Sequence, residues 1–409
     1  MLRPSPAELF KSSLKAIFKN KSRTILTSLG IIIGVTSVIL LVSIGNGLKS
    51  FISEQFESLG SNLIFISPGQ IFDKNGQMNR DESSMFIGVT FDQKDIVKLK
   101  RNLKSLVSDV VPISQKKVDV KYKKQKENAT LIATTYRYSN VRNTKPPTNL
   151  GRWFTKQEDA KGSKLAILGF QIAQDLSPHQ SLLNRKIVIS GKNLRVIGIL
   201  DKQGSSMGGP DLDNYIYVPY KAGASLTGDK NKIQIINIKS QNKEDIDLVK
   251  KKIKKIMLEK YDKDSFSVFD QSQVLSSINT ILNTLTIALT GIAAISLVVG
   301  GIGIMNIMLV SVSERTREIG LRKAIGASPP AILIQFLFEA TILSTFGGLV
   351  GIILGSLGTT TINRFFPAKV TLSSILLAFG VSTLVGIIFG VAPAKRASKL
   401  SPIEALRYE

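Results

Sequence analysis

The chain has 409 residues, 43% of them hydrophobic and 21% charged, with a formal net charge of +24 and no cysteine. The missing thiols exclude disulfide bonds and thiolate metal centres. The positive charge invites a nucleic-acid reading, but Lys and Arg are spread among strand-like and helical segments and crowd the flanks of apolar runs, which argues against nucleic acid and for membrane lipids and an anionic cell surface.

Four stretches, about 25–44, 286–309, 332–357 and 372–391, are apolar enough to cross a bilayer, for which roughly 20 helical residues suffice. The rest, chiefly 47–270, has ordinary soluble composition. The expected fold class is membrane α-helical, with four transmembrane helices and a large extracytoplasmic α+β domain inserted between helices 1 and 2.

In chain order, residues 1–24 predict an amphipathic helix lying in the membrane interface. Ser5-Pro6-Ala7-Glu8 is a capping box with Pro at the first helical position, and Lys11, Lys15 and Lys19 oppose Leu14, Ile17 and Phe18. Residues 25–60 give the first span and a stalk. Gly30 and Gly34 form a small-xxx-small pair for close helix packing, and Leu48, Phe51, Ile52, Phe56 and Leu59 continue the helix as an amphipathic extension.

The external domain is expected over 61–270. Strands are predicted at Leu63–Ser67, Val107–Val111, Val118–Tyr122, Leu131–Thr134, Leu165–Leu168, Lys186–Ile189, Leu194–Leu200, Tyr215–Pro219, Ile233–Ile238 and Ser265–Phe269, with helices at Asp92–Lys104, Gln171–Leu176 and Lys243–Tyr261. A second lobe is expected at about 82–143, where the chain is Lys-rich and less regular.

From Gln271 to Ser313 no side chain is charged, about twice what a span needs. Its polar first part predicts a stalk continuous with the second span (271–312), one helix about 60 Å long. Then Glu314, Arg315, Arg317, Glu318, Arg322 and Lys323 predict a short charged helix within 313–330, stopped by Pro329 and Pro330. Residues 331–392 hold the third and fourth spans. Gly347, Gly351, Gly355, Gly386 and Gly390 suit helix packing, and Asn306, Gln335 and Glu339 are intramembrane polar residues. Glu339 lies one or two turns past the cytoplasmic entry and is read as hydrogen-bonded at headgroup level, with an intramembrane functional role as the alternative. The tail, 393–409, opens a last helix with the capping box Ser401-Pro402-Ile403-Glu404.

Basic residues gather in the N-terminal tail, in the 313–330 loop and at Lys395, Arg396, Lys399 and Arg407, whereas the loop between spans three and four has only Arg364 and Lys369. The positive-inside bias therefore predicts a multi-pass protein of the cell (plasma or inner) membrane with both termini cytoplasmic.

The run SxxERTREIGLRKAIGAS after an MNIM-containing span, and the tail PAxxASKLxPIEALR, resemble MacB/FtsX-type ABC transporter permeases. GRWFTKQEDAKGSKLAILGFQIAQDL, KIVISGKNLRVIGILDKQGSSMGG and DNYIYVPY are similar in order and spacing to that family's periplasmic core domain. The resemblance implies that Glu314, Arg315, Arg317, Glu318, Ile319, Gly320, Arg322, Lys323 and Gly326 couple the permease to an ABC ATPase. It also implies a homodimer and a membrane-fusion or adaptor partner, with ATP and Mg held by the ATPase and no cofactor on this chain. Family members of the tripartite efflux type carry a fused N-terminal ATPase, so a separate ATPase subunit is expected here. The expected function is the permease subunit of an export system that transmits ATP-driven movement to the external domain. FtsX-like regulation of a cell-wall hydrolase and lipoprotein release are the alternatives.

No catalytic or metal constellation is legible. Gly223–Gly228 resembles a phosphate loop, but Asp229 stands where such a loop needs Lys, and the stretch reads as a turn. His179 reads as a loop residue, Asp211 and Asp213 as an acidic turn, and Trp153 as core.

Overall fold

The computed structural model describes residues 21–58, 60, 62–73, 79, 89–202, 211–228 and 232–406. The interfacial helix read from Ser5 to Lys19, the start of the lobe expected at 82–143, Asp229 and Arg407 lie outside them. The chain divides into two compact units, Met1–Phe51 with Asn279–Glu409, and Ile52–Ile278, with the division falling inside two long helices.

In chain order the elements are α1 (Lys21–Ser58), β1 (Leu63–Pro68), α2 (Gln93–Asn102), β2 (Val107–Tyr122), β3 (Gln125–Thr134), α3 (Tyr138–Val141), α4 (Lys156–Lys161), β4 (Leu165–Leu168), α5 (Phe170–Leu176), β5 (Lys186–Ile189), β6 (Lys192–Ile199), β7 (Tyr215–Pro219), α6 (Tyr220–Thr227), β8 (Ile235–Ser240), α7 (Ile246–Met257) and β9 (Phe266–Asp270). There follow α8 (Gln271–Glu314), α9 (Thr316–Ala324), α10 (Pro329–Ile362), α11 (Leu372–Lys399) and α12 (Pro402–Leu406).

In the unit of residues 52–278, β2-β8-β1-β9 form an all-antiparallel sheet crossed by α2 and α7, the split βαβ arrangement. Helix α2 starts at a capping box between Asp92 and Asp95, and both helices lay apolar residues, Ile96 and Leu99 from α2 and Val249 and Ile253 from α7, into one core with Ile64, Ile66 and Ile238. The 16-residue β2 then changes partners near Pro112, whose carbonyl accepts from Thr134 Oγ1 at 2.9 Å. Its second half pairs with β3, and the circuit runs on through β7, β4, β6 and β5 back to β2.

Two expectations change here. The second lobe is this six-strand circuit, which reaches residue 219, while 92–102 belongs to the first sheet; the expected 82–143 followed composition, and the boundary runs through a single strand. The turn read at Gly223–Gly228 is instead the end of α6. A Cβ at Gly223 would lie 2.2 Å from that of Ala133, so the absence of a side chain lets this helix lie directly on β3.

The other unit holds α1, α8, α10 and α11, which among the described residues are the four helices long and apolar enough to cross a membrane. Their buried residues, among them Ile31, Val35, Leu297, Ile304, Phe336 and Ala340, form one core. Ile292, Ile295, Ile353 and Leu376 face outward, as an apolar solvent permits. Small residues set the closest approaches: a Cβ at Gly30 would lie 2.6 Å from the Gly300 Cα, and one at Gly34 2.7 Å from Leu297. Gly347, Gly351 and Gly355 face Ile31, Val35 and Ile39 of α1 in successive turns, while Gly386 and Gly390 meet Ser344 and Ala340 of α10.

Candidate functional site

Helix α9 starts where the long apolar run of α8 ends at Glu314. Glu318 lies in its first turn and Arg322 and Lys323 in its last, complementing the helix dipole. It closes in a Schellman motif: Gly326 N–H donates to the Lys323 carbonyl and Ala327 N–H to that of Arg322. Gly326 has φ +104°, a conformation open to glycine, and the prolines that follow open α10.

The side chains of Arg315, Arg322 and Lys323 in this segment reach other helices. Arg315 donates to Glu339 of α10 at 3.1 and 3.3 Å and to Glu318 at 3.0 Å, with its guanidinium 5.4 Å from the centre of the Phe336 ring. Arg322 reaches Glu318 at 2.5 Å and Gln335 at 2.8 Å. Gln335 and Glu339 stand one helical turn apart on α10, so the two arginines, two turns apart along the chain, grip one face of it. Burial lowers the Arg315 pKa, but the Glu318 hydrogen bond and the Glu339 charge outweigh it, and the net shift is upward.

Two further contacts fix α9 to the C-terminal segments. Lys323 Nζ donates to the carbonyls of Ser398 and Leu400 at 2.6 and 2.7 Å, capping the end of α11, while burial lowers its pKa. A Cβ at Gly320 would lie 2.6 Å from that of Ala405 in α12, so the two short helices pack in direct contact. Ile319 is buried in the membrane-unit core and Thr316 donates to the Val312 and Ser313 carbonyls.

What remains outward is a different set. Arg317 is exposed, and so are Leu321 (56%) and Ile325 (80%), four residues apart on one side of the helix. Sequence reasoning singled out Arg317 but not Leu321 or Ile325; their recurrence with Arg317 at intervals of four was the available signal. Glu339 is 6% exposed and both ion-paired and hydrogen-bonded to Arg315 of the charged segment. Asn306 lies on an exposed side of α8, away from this network.

The residues weighed for metal or nucleotide chemistry have local roles. Asp211 accepts from the Asp213 N–H and from Asn214 Nδ2 within a short turn, and His179 is exposed. Trp153 stacks on Tyr138, with ring centres 5.9 Å apart, beside Tyr217. Among the described residues no group of three or more His, Cys, Asp or Glu is placed to hold a metal ion. Helix α9 is thus a short helix anchored at both ends, with Arg317, Leu321 and Ile325 outward.

The MacB-like periplasmic core domain family matches residues 24–256, and the FtsX-like permease C-terminal family matches 290–402. The chain is 37% identical over 98% of its length to a macrolide export ATP-binding/permease protein MacB of Bdellovibrio bacteriovorus, and 34% identical over 98% to one of Azoarcus sp.. It spans about three fifths of those relatives, 62% and 60% of their length. A crystal structure of the periplasmic region of MacB from Actinobacillus actinomycetemcomitans aligns with 56% of this chain and 97% of its own, at 17% identity and a TM-score of 0.46. With four apolar helices and an α+β domain between the first and second, this multi-pass membrane chain belongs to the MacB/FtsX-type ABC transporter permeases.

Proposed function

We propose that this chain is the permease component of an export system and that α9 is where an ABC-type ATPase docks. The observation that carries this reading is the division of labour on α9: Arg315, Arg322 and Lys323 bind it to α10 and α11, with Glu318 joining the two arginines, while Arg317, Leu321 and Ile325 are left outward. A helix clamped in this way passes on a push instead of absorbing it, and its outward side offers a partner Leu321 and Ile325 with Arg317 and the exposed Glu318 beside them.

On this reading α9 and both termini are cytoplasmic and ATP and Mg belong to the ATPase. Two copies of the chain assemble, and a membrane-fusion or adaptor protein receives the substrate. Movement of α9 passes to α8 through Arg315 and to α10 through Glu339, and α1 and α8 carry the chain on toward the external domain. The spans support a lever over a conduit, because Glu339, the carboxylate of α10, is engaged by Arg315 and does not line an open path.

The test is reconstitution with the ATPase in lipid nanodiscs. Arg317→Glu and Ile325→Asp, which touch no anchoring contact, should abolish permease-stimulated ATP hydrolysis and transport without changing the melting temperature. Retention of both activities in both variants would refute the docking site.

A further inference from the structure

The six-strand circuit carries a strongly basic outer face. On β2, Lys117, Asp119 and Lys121 point outward between buried Val118 and Val120. Lys126 of β3 stands directly opposite Lys121, and Arg195 of β6 directly opposite Lys186 of β5. Val188 pairs with Lys121, which puts Lys186 one strand over and two residues along on the same face. With strands about 4.8 Å apart and a rise of about 6.7 Å per two residues, Lys126, Lys121, Lys186 and Arg195 form a row with steps of about 5 to 8 Å across four neighbouring strands. Lys117 lies on the same face four residues back along β2, beyond Asp119, and Lys123 and Lys124 form the adjoining hairpin turn.

Like charges directly opposite one another destabilise a sheet, so two such pairs in one row are a placement that folding disfavours. Asp119, 2.9 Å from Lys126, is the acid on this face, and β5 and β6 contain none.

We infer that this row is a docking surface for a linear phosphate-bearing polyanion. An acidic protein would need an apolar anchor to be held specifically, and none of the exposed large hydrophobic residues lies on β2, β3, β5 or β6. A polyanion needs only a track of cations, because release of its counterions drives binding. On the topology proposed above the domain is extracytoplasmic, so the polymer is one of the cell surface.

The experiment uses the full chain in phosphatidylcholine nanodiscs and fluorescent long-chain inorganic polyphosphate. Binding should weaken steeply with salt. The quadruple variant Lys121→Gln, Lys126→Gln, Lys186→Gln, Arg195→Gln should lose about tenfold or more in affinity with a shallower salt dependence. Its melting temperature should be unchanged or higher, since both opposed pairs are relieved. A control carrying Lys251→Gln, Lys252→Gln, Lys254→Gln and Lys255→Gln on α7 should bind within about twofold of the parent. Should the quadruple variant not fold, Lys121→Gln with Lys186→Gln serves in its place, with a smaller loss. Undiminished binding by the strand variants, or an equal loss in the α7 control, would overturn the inference. So would tighter binding of polyglutamate, the mark of an acidic protein partner. Phosphatidylglycerol vesicles should not compete with polyphosphate; effective competition, the mark of a lipid headgroup as occupant, would overturn the inference.

Discussion

Arg315 and Glu339 form an ion pair at 3.1 Å that ties the start of α9 to the face of α10. Glu339 is almost fully buried and Arg315 half-buried, so removing one partner strands the other's charge in a poorly solvated place. Glu339→Ala should lower stability by about 3 kcal/mol, measured by thermal unfolding in nanodiscs, and reduce coupled ATP hydrolysis as well. In a double-mutant cycle, adding Arg315→Ala should cost much less than it does alone. Additive losses would mean that the pair does not act as a unit.

The contact between Gly320 and Ala405 gives a prediction about the tail. Gly320→Val forces α12 off α9, because its methyl groups have no room beside Ala405. Limited proteolysis should then cleave near residues 400–406, where the parent protein resists. Gly320→Ala is milder, and Ala405→Gly should restore most of its protection.

Helix packing can be tested by contrast. Gly30→Val should destabilise the membrane unit by about 1–3 kcal/mol, since its side chain would run into the Gly300 backbone. Gly291→Ala and Gly303→Ala on α8 have open space where a Cβ would go and should leave the melting temperature unchanged or slightly raised. Equal effects at all three positions would contradict the packing described for α1 on α8.

A pH dependence follows from the start of α4. The Arg152 guanidinium, together with the Thr155 N–H and hydroxyl, holds the Glu158 carboxyl at a pKa of about 2, below its ordinary value of 4.5. A folded-state value below the unfolded one means the stabilisation is complete above about pH 4.5 and is lost as pH falls toward 2. Glu158→Gln should flatten the acid limb of the stability curve over that window. The difference between the two proteins at pH 7 should be about 1 kcal/mol, because the pair is partly open to water.

Much of this architecture could be read without coordinates. The four long helices announce themselves because about twenty apolar residues in a row have few other uses, and the helix at 316–324 follows from a sudden switch to charge before two prolines. Strands such as Leu165–Leu168 and Tyr215–Pro219 fall where expected, since buried runs bounded by turn residues carry their own signal. The long β2 reads as two strands in the sequence because Pro112 and the polar residues after it break the alternation, and its continuity depends on two different partners, β8 before the break and β3 after it. Helix α6 reads as a turn in the sequence because its glycine is favourable only against Ala133, a neighbour ninety positions away in the chain.

The sequence by itself determined which segments leave water and which carry charge, because the cost of exposing apolar surface or burying charge is paid locally, residue by residue. It also placed Arg315, Glu318, Arg322, Gln335 and Glu339 in two separate stretches, one charged and one apolar. Only the tertiary structure decided that they form one clamp, that Leu321 and Ile325 stay outside it, and that Lys121 and Lys186 stand in one row. These are pairings between distant segments, set by how helices pack and strands register, and no local pattern encodes them.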